Sequence, residues 1–122
     1  MNSQEFSIRA RIKSFQYAIE GIASFFLREH NAWLHCIATV AVFTLAAIVG
    51  VDKIELLALV FAVGFVWVAE MFNTCIERMM DFISMKQDAE IKFIKDLASG
   101  AVLTASITAV VVGLVVFIPK FF

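Results

Sequence analysis

The chain has 122 residues, enough for a single domain, and 61% of them are apolar where ordinary soluble domains hold roughly 45–50%, so much of the surface has to face lipid. Ten Lys and Arg stand against eleven Asp and Glu, which leaves no basic surplus and excludes an electrostatic case for nucleic acid as a partner. Cys36 and Cys75 lie in apolar stretches without metal-ligand spacing, so they are expected to be buried small hydrophobes and not a disulfide or a zinc site.

At the N-terminus no apolar run follows the basic residues closely enough for a cleavable signal, and no lipidation motif is present; the mature chain is expected to begin there. A helix is predicted over about 6–28. Ile8, Ile12, Phe15, Ile19, Ile22 and Phe26 fall in alternating steps of four and three, which makes one apolar stripe, with Arg9, Lys13, Gln16 and Glu20 on the other side. Such a helix lies in a membrane interface, basic side toward headgroups.

Three membrane spans follow, over about 31–51, 54–80 and 95–119. The first holds no formal charge over 33–51, about the length that crosses a hydrocarbon layer of roughly 30 Å. A tight turn at residues 50–53 leads to the second, uncharged over 56–69 but charged beyond. That helix is too long to end at Ala69, so Glu70 and Asn73 are expected at or below headgroup depth. Residues 81–94 read as a connecting segment, partly helical at the surface. In the third span Ala101, Ala105, Ala109 and Gly113 recur every fourth position, a small-residue row that lets helices approach closely. One Pro and five Gly fit this all-α membrane architecture of an amphipathic helix and three spans.

The basic residues set an expected orientation. Arg9, Arg11, Lys13, Arg28, Arg78, Lys86, Lys92 and Lys95 fall on one side, and only Lys53 and Lys120 on the other. This bias puts the N-terminus and the second connection in the cytoplasm and the C-terminus outside.

The chemistry concentrates where the second span ends. At roughly 100° per residue, Glu70, Asn73, Glu77 and Asp81 share one helix face, with Phe72 and Met79 opposite. Carboxylates at that depth cost a few kcal/mol each unless paired, metal-bound or wet, so they mark function by default; ion pairing that merely fixes helix packing is the alternative. Oxygen donors at this spacing suit a hard cation such as Mg²⁺, and a carboxylate shielded from water can take the proton of a substrate hydroxyl. Glu70, the deepest, is the candidate base, and Glu77 the candidate metal ligand. Lys92, Lys95 and Asp96, with Ser99 one turn on, stand at the start of the third span, where lysines can meet phosphate oxygens or simply snorkel. Glu29, just before Asn31 and His35, is a second candidate ligand, while His35 alone reads as a packing or interface histidine. The chain has neither a Walker pattern nor G-x-G-x-x-G, so the residues by themselves imply a metal- or proton-handling helix bundle. A proton- or cation-coupled transporter needs a continuous polar path, which residues 56–69 do not supply. A purely structural subunit leaves the aligned carboxylates unexplained.

Glu70-x-x-Asn73-Thr-x-x-Glu77-x-x-x-Asp81 resembles the signature E-x-x-N-[ST]-x-x-E-x-x-x-D of the prokaryotic diacylglycerol and undecaprenol kinases. Lys95-Asp96-x-x-Ser99-Gly100-Ala101-Val102 resembles that family's K-D-x-x-[SA]-[GA]-A-V stretch, and Lys13-Ser14-Phe15-x-x-Ala18-x-x-Gly21 its N-terminal helix. The resemblance covers nearly the whole chain. It implies a homotrimeric lipid kinase of the bacterial inner membrane that uses ATP and Mg²⁺, with a site assembled from neighbouring subunits. By position it makes Glu70 the general base and Glu29 and Glu77 the Mg²⁺ ligands. It assigns nucleotide contacts to Arg11, Tyr17, Glu29, Glu77, Lys95 and Asp96, and substrate contacts to Glu70, Asn73 and Ser99. Asn31, His35 and Asp81 complete the polar surroundings, and Arg9 is the alternative to Arg11. The Asn31-x-x-x-His35 pattern resembles the undecaprenol kinase branch, although Trp33-Leu34 stands where that branch carries Arg-Ile. The resemblance therefore favours undecaprenol over diacylglycerol by a narrow margin.

Overall fold

The computed structural model describes residues 7–86 and 88–122, and Phe6, expected at the start of the first helix, lies outside them. Among the described residues the chain is entirely helical: α1 Ile8–Arg28, α2 His30–Val49, α3 Lys53–Ile83 and α4 Ala89–Phe121. The last three are long and apolar enough to cross a membrane, which makes this a three-span membrane protein preceded by an amphipathic helix. Compact packing divides the chain into two units, one ending at Ile37 and the other running Ala38–Phe122.

In the first unit, Ser7 caps α1 by accepting a hydrogen bond from the Ala10 N–H. The apolar stripe of α1 is left uncovered, with Ile8, Ile12, Phe15 and Ile19 each more than 60% exposed, as an amphipathic helix without a protein partner for that face requires. The helix stops at Glu29, whose extended backbone (φ −114°, ψ 121°) makes a one-residue corner into α2. Phe26 and Trp33 meet edge to face across that corner, ring centroids 6.0 Å apart, and Ala32 is fully buried.

In the second unit α2 ends at Gly50, whose φ of +76° is the left-handed conformation that a side chain disfavours and glycine accepts freely. Asp52 then caps α3, its carboxylate accepting from the Glu55 N–H at 2.8 Å. Lys120, in the last turn of α4, reaches both Glu55 carboxylate oxygens at 3.1–3.2 Å and ties the end of α4 to the start of α3. A small apolar layer of Ala46, Leu59 and Val116 packs one residue from each of α2, α3 and α4.

The Asp52 carboxyl is held below its ordinary 3.8, first by the Glu55 backbone N–H and also by the positive charge of Lys120. A depressed carboxylate pKa means that the cap's contribution is complete above the unfolded value and is lost as pH falls through the folded one. Asp52→Ala is therefore expected to lower the melting temperature at about pH 6, and the gap to the parent to narrow below about pH 4. Circular-dichroism melts in detergent micelles check this, and equal melting of both proteins at about pH 6 refutes the cap.

Two sequence expectations need correction. The connection is shorter than residues 81–94, because α3 runs to Ile83 and α4 already starts at Ala89. Asp88 is the cause: its carboxylate accepts from the Glu90 and Ile91 N–H groups, and Lys92 pairs with Asp96 one turn on. The cysteines are expected to be buried, but Cys36 is half-buried and Cys75 is exposed on α3. The small-residue row is used only in part. Ala105 is fully buried and Ala109 and Gly113 are half-buried, while Ala101 is exposed, as a row taken every fourth residue drifts about 40° per step around a 3.6-residue helix.

Candidate active site

At about 1.5 Å per residue the 31-residue α3 is roughly 46 Å long, so it cannot lie within a hydrocarbon layer of roughly 30 Å and one end must emerge. The emerging end carries the polar face. Glu70 is 4% exposed and Asn73 8%, whereas Phe72 and Met79 on the opposite face are 65% and 54% exposed. The helical period therefore buries the carboxylate and amide and turns the large apolar groups outward. Asn73 Nδ2 donates to Glu77 Oε1 at 3.2 Å, and Glu77 is half-buried. Asn73 Oδ1 is buried and accepts no hydrogen bond among the described residues, an orphaned acceptor that needs a partner.

One turn beyond Glu77 the face passes to a second helix. Lys95 of α4 donates to Asp81 Oδ1 of α3, which joins the two polar segments of the sequence across the 84–88 connection. Lys92 donates to Asp96, and both are exposed. Beside these pairs opens a cavity of about 590 Å³ lined by Asp81, Lys86, Asp88, Lys92, Lys95 and Asp96, together with apolar Met85 and Ile91. That size falls in the roughly 300–1,000 Å³ span of small-molecule sites. Three lysines and three aspartates line the opening, two of each in ion pairs, so its formal charge is balanced. Lys86 and Asp88 were not among the sequence candidates. The signal that points to them is the cap at Asp88, which starts α4 at Ala89.

Ser99 is exposed on α4. In the other unit Arg11 and Tyr17 are exposed on α1, Glu29 is the half-buried corner residue, and Asn31 and His35 lie one turn apart at the start of α2, His35 half-buried. The Glu29 N–H donates to the Phe25 carbonyl and its own carbonyl accepts from the Ala32 N–H, so the corner closes one helix and opens the next.

Within the second unit, one interhelical bond lies among apolar residues. Trp67 Nε1 donates to Thr39 Oγ1 at 2.9 Å, linking α3 to α2. The hydroxyls of Thr104 and Thr108 bond back to the carbonyls of Gly100 and Thr104, so these polar groups of α4 are satisfied within their own helix.

The family model for prokaryotic diacylglycerol kinase matches residues 16–117, which takes in Tyr17, both polar segments and all three spans but leaves out Arg11. An undecaprenol kinase of Bacillus subtilis is 33% identical over 108 residues, 88% of this chain and 88% of that protein. A diacylglycerol kinase of Synechocystis is 35% identical over 107 residues, 87% of this chain but only 61% of that longer protein. The polar face of α3, its junction with α4 and a match along most of the chain agree: the chain belongs to the prokaryotic diacylglycerol kinase family of membrane-embedded lipid kinases.

Proposed function

We propose that the protein transfers the γ-phosphoryl group of ATP to the hydroxyl of a membrane lipid, undecaprenol in preference to diacylglycerol. The observation that carries this reading is the buried face of α3, where Glu70 and Asn73 are shielded, Asn73 holds Glu77, and Asn73 Oδ1 is left as an open acceptor. An acceptor hydroxyl on this face has one proton, which it can donate to the Glu70 carboxylate while its own oxygen is aimed at phosphorus. In the step itself the hydroxyl oxygen forms a bond to the γ-phosphorus, the bond to the bridging oxygen of ADP breaks, and the hydroxyl proton passes to the Glu70 carboxylate.

The nucleotide is assigned to the cavity beside α3 and α4, with Lys95 and Asp96 in its lining; the family resemblance adds Arg11, Tyr17, Glu29 and Glu77 as nucleotide contacts. Mg²⁺ in phosphotransfer sites is held by one or two carboxylates and completed by phosphates. The hard oxygen donors here fit that ion, and Glu29 and Glu77 would hold it. When bound, Mg²⁺ neutralises charge on the phosphate oxygens. Ser99, Asn31 and His35 are assigned to the surroundings of the lipid. The chain is taken to work as one kinase domain, a homotrimer in the bacterial inner membrane with its N-terminus in the cytoplasm. The eight-to-two split of basic residues supports that orientation.

For the acceptor, the support is the Asn31-x-x-x-His35 pattern and the match along nearly the whole undecaprenol kinase of Bacillus subtilis. Radiolabelled phosphate transfer from ATP in mixed micelles, with undecaprenol and diacylglycerol offered in parallel and Glu70→Gln as control, tests the reading. Label in undecaprenol that is lost in the variant is the expected result; label in neither lipid from folded protein with Mg²⁺ overturns it. Lys95→Met is expected to raise the KM for ATP by about 10- to 100-fold, the worth of a hydrogen bond to a charged group, with the lipid KM little changed. An unchanged KM for ATP would take Lys95 out of the nucleotide site.

A further inference from the structure

We propose that Thr39 and Trp67 are positioning residues for Glu70: their hydrogen bond sets the rotation and height of α3 in the turn that leads to the carboxylate. The inference rests on the reading that Glu70 takes the acceptor's proton, and it adds two residues that no polar signature contains.

The bond joins residues 28 apart in sequence, at 2.9 Å, and both side chains are half-buried. Residues 56–69 of α3 carry no charge, and neither do residues 38–49 of α2, so the pair lies in an apolar setting. In hydrocarbon an indole N–H without an acceptor is strongly disfavoured, and no water competes for it, so the bond is directional and persistent. Trp67 precedes Glu70 by three residues, about 4.5 Å along the axis and about 60° short of a full turn. Fixing the indole therefore fixes the carboxylate.

Other ties on α3 described above lie further from Glu70, the Lys120–Glu55 pair fifteen residues before it. The layer of Ala46, Leu59 and Val116 is apolar and non-directional, and it lies more than ten residues from Glu70. The Asp81–Lys95 pair holds the far end of α3 to α4 between two flexible, part-exposed side chains. Between these points the Trp67–Thr39 bond ties α3 to α2. Side chains end roughly 5–6 Å from the helix axis. At that radius a rotation of about 10° displaces the carboxylate by about 1 Å, and a misplacement of that size can cost on the order of 10²-fold in rate.

The test uses the full chain in mixed micelles. Thr39→Val and Trp67→Phe each remove one side of the bond, the first keeping size and the second keeping an aromatic ring. Both are expected to lower kcat by about 10- to 100-fold with the KM for MgATP within about threefold. The double variant is expected to be no worse than either single one, and Thr39→Ser, which restores the hydroxyl, to recover kcat. In a Trp33→Phe background, where Trp67 is the remaining tryptophan, Thr39→Val is expected to shift the fluorescence emission to the blue. An unchanged kcat in both single variants, with Glu70→Gln inactive, overturns the positioning role and leaves the base assignment intact. A kcat loss that Thr39→Ser does not recover, or that tracks a matching fall in melting temperature, also overturns it. Full activity of Glu70→Gln removes the base assignment and this inference with it.

Discussion

Replacing Glu70 by Gln is expected to lower kcat by on the order of 10²–10⁴-fold, the usual contribution of a positioned base, while the KM for MgATP stays within a few-fold. The substitution changes one oxygen to an amide nitrogen at a position only 4% exposed, so shape and burial are retained and the ability to take a proton is lost. Glu70 lies one turn inward of Asn73 on the same buried face, where the acceptor hydroxyl is proposed to sit. The base is proposed to act on the acceptor hydroxyl and is not among the proposed nucleotide contacts, so removing it has little reason to disturb nucleotide binding. Steady-state kinetics with both substrates varied decide the point. Weakened MgATP binding with turnover intact would move Glu70 from the base to the nucleotide site.

The polar face of α3 was legible because a helical period is a local property. Glu70, Asn73 and Glu77 were placed on one side by spacing alone, with Phe72 opposite, and burial follows that division. The three spans were legible for a similar reason, since a charge-free stretch long enough to cross hydrocarbon has few other uses. The start of α4 was read only as part of a partly helical connection, because Lys86, Asp88, Glu90 and Lys92 have a surface composition. The deciding feature was the one carboxylate of Asp88 turned onto two backbone N–H groups. The contacts between helices were out of reach. Asp81 and Lys95 were each singled out, but their pairing depends on the antiparallel register that the short connection imposes. Nothing in the periodicity of two apolar helices says that the indole of Trp67 meets the hydroxyl of Thr39. Neither residue belonged to the polar pattern, because a satisfied hydrogen bond inside a membrane leaves no charge to notice.

Glu77→Gln carries the second large effect, and it is read in Mg²⁺ and not in the proton. Asn73 Nδ2 donates to Glu77 Oε1, and a glutamine oxygen accepts that bond as well, so the turn from Asn73 to residue 77 is expected to keep its geometry. What disappears is the negative charge and one hard oxygen donor. A site that supplies only one or two carboxylates cannot lose one without weakening its hold on a small divalent cation. The Mg²⁺ concentration for half-maximal activity is therefore expected to rise by about tenfold or more, with much of the lost rate recovered at saturating Mg²⁺. Glu70→Gln should show neither change, because a missing base is not replaced by more metal. Titrating Mg²⁺ at fixed ATP for the parent and both variants separates the two roles. A Glu77→Gln enzyme with parental Mg²⁺ dependence would leave Glu77 as the residue that holds Asn73 in place, and the metal would then have to be sought at Glu29.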